Sequence, residues 1–347
     1  MQNAQRLPYK GLFISLALSL CLLGWLFSLP GDQGSELFLS RLGWPLIRIM
    51  AFVGIGLILG EVIEATGWTR YLAWVAGPMF RFARLGPRCS AAFTSAFFSG
   101  VTANAMLMNA YSEGRISKEQ LFLTNFINHL PAFFLHLPTT LFIILPLAGA
   151  AGGIYILLVL ASILLRTVFF LTFSRARLSG EAEPAGALAE APQKKAWPEV
   201  LQALRRKLPR RYGRIAQFVI PIYIGISLFK ELGLFDVLRA WLSGSAATAL
   251  MPVESLSLVV VAFLADYTSG FATAGALLDN EVLTIKQGVL ALIAGQVLAF
   301  PLRALRHQLP RYLGIFSPKM GTQILLLGQI SRVLSLIFVA GLYYWLV

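Results

Sequence analysis

SKEQLFLTNFINHLPAFFLHLPTTLFIILPLA, residues 117–148, is the stretch on which the fold turns. It is long and apolar enough to cross a bilayer, yet Pro131, Pro138 and Pro146 interrupt it. A proline inside a helix removes a backbone donor and crowds the carbonyl four residues earlier. Lipid offers no hydrogen bonds, so a broken segment survives at membrane depth only where protein or a water-filled space covers it. The stretch therefore predicts an all-α membrane protein with an interior. Composition agrees: the chain is 57% hydrophobic and 13% charged, against about 45–50% and about 25% in soluble domains. Its mean hydropathy is +0.72.

Working outward, apolar runs recur along the whole chain. Residues 11–29 follow Arg6 and Lys10 and read as a first span rather than a cleaved leader, since no small-x-small site follows. Further spans are expected at 46–63, 89–111, 150–173, 214–231, 254–277 and 320–346, with a second proline-bearing stretch at 286–318. Aromatic residues interleave with Arg70, Arg81, Arg84 and Arg88 over 67–88, the pattern of an interfacial helix on the cytoplasmic side. The expected divisions are an N-terminal helix and outer loop (1–45), a first unit (46–173), a basic cytoplasmic linker (174–212) and a second unit (213–347).

The two units share an order. Ala73-Trp74-Val75-Ala76-Gly77 aligns with Ala240-Trp241-Leu242-Ser243-Gly244 at a shift of 167 residues, and Ile116 to Gln120 aligns with Leu283 to Gln287 at the same shift. Leu130-Pro131 answers to Phe300-Pro301, Leu137-Pro138 to Leu309-Pro310, and Arg166 to Arg332. With the basic segments 65–88 and 174–214 both inside, the stretch 117–148 is expected to return to its starting side as a re-entrant hairpin. Each unit then crosses an odd number of times, so the second copy is inverted relative to the first. Inverted repeats with broken helices are an architecture of secondary transporters, whose substrates bind near the bilayer midplane.

The net charge of +13 concentrates in the inner loops, so it follows the positive-inside bias and implies no nucleic-acid partner. The linker either pairs with anionic lipid headgroups or stands as a solvated basic loop. Two cysteines and three histidines make a dedicated structural metal site unexpected. Asp266, deep in an apolar span, costs about 2.5–3.5 kcal/mol to insert, so it should face a cavity or a partner such as Arg332 or Arg166. Asn125, Asn128 and His129 share one helix face just before Pro131. The expected substrate path is lined by Asn125, Asn128, His129, Asp266, Thr268, Ser269 and Gln296. No GxxxxGK[ST], HExxH or GxSxG motif occurs, so neither an enzyme nor a bound cofactor is expected.

Residues 95–134, with Ser99-Gly100, the segment Glu113 to Glu119 and the break from Asn125 to Pro131, resemble the Gate domain, also called the nucleoside recognition domain. The second unit is similar to a more divergent copy. That family includes parts of concentrative nucleoside transporters, the permease portion of ferrous-iron transporters and spore-maturation membrane proteins. The resemblance implies a multi-pass protein of the bacterial cytoplasmic membrane, and a permease for a small polar solute, nucleoside-like solutes included. Alternatives are a divalent-metal permease and a non-transporting scaffold that binds lipid or a partner. Iron permeases of the family carry gate cysteines, and neither proline-bearing stretch contains one here. Self-association into a homo-oligomer stays open.

Overall fold

A computed structural model describes residues 43–65, 73–178, 197–234, 252–264 and 267–347, with scattered positions within 17–24 and at 237. Most of the expected first span, residues 179–196 of the basic linker, the Ala240 to Gly244 repeat match and Asp266 lie outside the described residues. Within them the chain is helical, with no strand. Three runs are long and apolar enough to cross a membrane: Lys118–Arg177, Trp197–Phe229 and Pro318–Leu346. Leu157, Val168 and Phe169 on the first of these, and Leu334, Ile337 and Phe338 on the last, are each more than half exposed. Exposed large apolar side chains in such number on long apolar helices belong in lipid rather than water. The chain is an all-α membrane protein.

In chain order the helices are α1 (Trp44–Ala65), α2 (Ala76–Phe82), α3 (Pro87–Ala96), α4 (Gly100–Ser112), α5 (Lys118–Ile127), α6 (His129–Arg177), α7 (Trp197–Glu231), α8 (Val253–Leu264), α9 (Tyr267–Asp279), α10 (Ile285–Arg303), α11 (Leu309–Ile315) and α12 (Pro318–Leu346). A π-helical turn, Ala304–Gln308, joins α10 to α11.

Helix α6 is two antiparallel arms. Gly149 has φ 52° and ψ −134°, outside any helix. A Cβ on Gly152 would stand 3.0 Å from the Ile144 carbonyl oxygen, whereas residues eight apart in a continuous helix are about 12 Å apart. The chain therefore turns back at Gly149. Helix α5 continues the first arm, because the Phe126 ring lies 5.1 Å from that of Phe170 and Glu119 lies 3.5 Å from Arg177. Residues 118–148 thus run the full length of 150–177. The expectation that 117–148 returns on itself at its prolines does not describe this geometry. Pro131 falls in the first turn of α6, where amide donors have no helical partner anyway, and Pro138 and Pro146 are carried inside the helix.

The second unit repeats the construction. Helices α10 and α11 lie antiparallel to α12: Lys286 sits 4.7 Å over Tyr344, Arg332 lies 3.8 Å from the Phe300 ring, and Gln329 donates to Gln308 at 3.1 Å. The π turn ends just before Pro310, whose ring would crowd the carbonyl of Arg306, and a wider turn relieves that contact. Matching capping boxes open α5 and α10. Ser117 accepts from Gln120 and Thr284 from Gln287, each glutamine answering with its side chain.

Before each long hairpin comes a short one. Ser95 on α3 meets Met106 on α4 at 3.1 Å, and a Cβ on Gly270 of α9 would lie 2.9 Å from the Ala262 Cβ of α8. Both pairs fold back on themselves. The loop before α3 and the feet of the first long hairpin meet, with Ser174 donating to the Ala83 carbonyl (2.7 Å), Gln120 to that of Leu85 (3.3 Å) and Arg175 to that of Phe82 (3.2 Å).

The long hairpins pack turn to foot. The backbone of Leu147, beside the Gly149 turn, abuts Gly275 near the C-terminal end of α9, so closely that no side chain fits there. At the other end Lys118, at the foot of the first hairpin, donates to Gln323 near the turn of the second (3.0 Å). Helix α1 packs on α6 and α7, with Gly56 admitting the Phe142 carbonyl.

Candidate functional site

The polar interior lies where the mid-lengths of the two long hairpins meet. His129 opens α6 and projects into a cavity of about 310 Å³, with His136 and Thr140 about two and three turns further on. Tyr155 and Arg166 reach in from the second arm. Phe300, Gln308 and Arg332 close it from α10, the π turn and α12. His129 begins about 17 Å along the hairpin from Lys118, at a rise of about 1.5 Å per residue. The cavity is therefore far from both ends. Gly328 of α12 faces the His129 ring, where a Cβ would make an ordinary contact at 3.6 Å.

The lining is rich in donors. Arg166 is 7% exposed; its Nε donates to the Ser162 carbonyl at 3.4 Å, and its Nη1 is buried with no hydrogen-bond partner among the described residues. Arg332 rests its guanidinium on the Phe300 ring at 3.8 Å, a cation–π arrangement. Both arginines act electrostatically on His129, and Arg332 on Arg166. Among the described residues the lining contains no carboxylate. No three His, Cys, Asp or Glu side chains come together there as a metal site would need.

The predicted substrate residues distribute unevenly around this space. His129 lines it. Asn125, buried on α5, donates to Asn104 of α4 at 2.8 Å, and Tyr312 of α11 comes alongside both. Asn128 sits in the turn between α5 and α6, with both side-chain polar atoms buried and unpartnered among the described residues. Gln296 is buried on α10 and accepts from Arg303 at 2.9 Å. Thr268 and Ser269, in the first turn of α9, are buried with hydroxyls that find no partner among the described residues. Asp266 lies outside those residues. Arg166 and Arg332 entered the sequence reading only as a repeat match and as partners for Asp266. The missed signal was their position: a charge deep in an apolar run, present in both units.

A larger cleft, about 1180 Å³, opens at the Gly149 turn between α1, α6 and the segment before α10. Its walls are mostly aliphatic, and Arg48, Asp279 and Glu281 are the charged residues that line it. The smaller cavity is the better site because its polar groups converge from both units.

Three uncharacterized proteins of Methanocaldococcus jannaschii are similar to this chain. One is 25% identical over 281 residues, covering 81% of this chain and 88% of the relative. The others are 23% identical over 303 residues (85% and 92%) and 22% identical over 285 residues (78% and 88%). The likeness therefore spans both units. No family profile and no solved structure matches the chain.

Proposed function

We propose that the chain is a multi-pass permease of the cytoplasmic membrane, a secondary transporter moving a small polar solute between two oppositely oriented copies of one unit. The observation that carries this reading is the polar cavity at mid-length, walled by both units. Ionisable groups at membrane depth are costly and are kept where they face a pathway or a partner. The turn-to-foot packing of the long hairpins supports the inverted orientation. The re-entrant elements in this reading are the short hairpins α3–α4 and α8–α9. Their helices reach about 15–20 Å at the helical rise, against a hydrocarbon core of about 30 Å.

Transport is tested by reconstituting the purified chain in liposomes and following counterflow of labelled solutes. Uptake above empty liposomes supports the permease; a tight, non-conducting bilayer across a broad solute panel refutes it. Orientation is tested by single cysteines at Glu113 and Glu281, both exposed. Labelling from opposite faces is expected, and labelling from one face removes the inversion.

A further inference from the structure

We infer that the mid-depth cavity is an oxyanion site, and that the solute it accepts carries a phosphate or carboxylate group. This deepens the permease reading and rests on it for the solute's passage, though binding can be measured without transport.

The argument starts with Arg166. A guanidinium stays charged, offers five donors in a planar fork and has no acceptor capacity. Here it is almost wholly buried, donates one long hydrogen bond to its own helix and has no partner for Nη1 among the described residues. A buried donor without an acceptor costs free energy that a bound acceptor returns. Arg332 brings a second guanidinium to the same cavity, held over the Phe300 ring. The other polar neighbours are His129, His136, Thr140, Tyr155 and Gln308, all able to donate. A neutral solute offers the Arg166 fork at most a single neutral acceptor; a planar or tetrahedral oxyanion meets guanidinium forks two atoms at a time. A divalent cation is repelled.

The test uses the full chain, purified in detergent. Calorimetric titration compares inorganic phosphate and succinate with uridine, in a chloride background of matched ionic strength; phosphatidylglycerol mixed micelles form a separate arm. Saturable binding of phosphate or succinate, with uridine silent, is expected. Arg166→Gln should weaken it about ten- to a hundred-fold, the range for a hydrogen bond to a charged group. Arg166→Lys, which keeps the charge, should recover part of the loss. If Arg166→Gln does not purify as a monodisperse species, Arg332→Gln and competition between phosphate and uridine on the unaltered chain decide instead. Competition between phosphatidylglycerol and soluble phosphate would identify a lipid headgroup as a second source of the same group; binding of the lipid alone would overturn the small-solute assignment. Uridine binding that ignores both arginines, or no anion binding at all, overturns the oxyanion site. Anion binding without any counterflow leaves the site standing and removes the permease. Counterflow of a neutral solute that anions do not inhibit does the reverse.

Discussion

Gly149→Ala isolates the backbone geometry that folds α6 into two arms. No atom lies within 4 Å of the place a Cβ would take at Gly149, so the substitution meets no steric resistance. What it meets is the backbone: φ 52° with ψ −134° is a conformation that a Cβ disfavours strongly. Holding a non-glycine residue in such a region costs about 1–3 kcal/mol. At about 1.4 kcal/mol per factor of ten, that is roughly a five- to hundred-fold shift toward the unfolded state. Asparagine sharpens the test. It tolerates the left-handed helical region, where ψ is positive, but gains nothing at ψ −134°, so Gly149→Asn should cost as much as Gly149→Ala. Gly152→Ala gives the contrasting case. Its backbone is helical, but the new Cβ would stand 2.6 Å from the Ile144 methyl and 3.0 Å from its carbonyl. That loss is steric, about 1–3 kcal/mol for overpacking, and Ile144→Ala should recover part of it, while doing nothing for Gly149→Ala. Reversible unfolding in mixed micelles, followed by intrinsic fluorescence, measures the three glycine variants and the two double variants carrying Ile144→Ala. Should Gly149→Ala match the unaltered chain within about 0.3 kcal/mol, the scale of ordinary non-coupling, the reversal at Gly149 is refuted.

The Asn104–Asn125 bond predicts a coupling of about 0.6–1.7 kcal/mol in a double-mutant cycle to alanine, the range for polar pairs between membrane helices; strict additivity would deny the bond. Glu281 has φ 56°, where Gly114 occupies the corresponding turn of the first unit, so Glu281→Gly should stabilise the chain. Relief of about 1–2 kcal/mol of left-handed strain outweighs about 0.5–1 kcal/mol of added flexibility; a drop in unfolding midpoint would contradict this. Asp266→Asn is expected to abolish counterflow while leaving membrane insertion intact, and full activity in that variant would take the carboxylate out of the mechanism.

Much of this fold could be read from periodicity and composition, because lipid makes apolar length decisive. The repeat was legible too, and the capping boxes at Ser117 and Thr284 fall on its 167-residue shift. What misled was the proline rule. Prolines near Pro131 read as breaks, yet a proline in a first turn forfeits no hydrogen bond, and Pro138 and Pro146 sit within continuous helix. The reversal is made by Gly149, within a run of small residues, Ala148 to Gly153, that reads as ordinary close-packing sequence. The site was partly legible for a related reason. Helix-face spacing gathers Asn125, Asn128 and His129, but cannot say which of them turn inward to a cavity and which pair with α4 or α11. That depends on partners more than twenty residues away.

The position of the arginines explains why one cavity holds both. In the proposed arrangement two copies of a hairpin pack turn to foot, so a residue near one end of the first copy meets the other end of the second: Lys118 finds Gln323, not its own counterpart Ile285. Only at mid-length does a residue meet its equivalent. Arg166 lies eleven residues from the foot of its arm at Arg177 and seventeen from the turn at Gly149, close enough to the middle that Arg332 reaches the same space. A charge placed at that register is therefore doubled by the repeat itself, whereas one placed near either end is separated from its twin by most of the membrane. Selection for a positively charged interior needs only one position per unit to achieve it, and the chain carries arginine there in both.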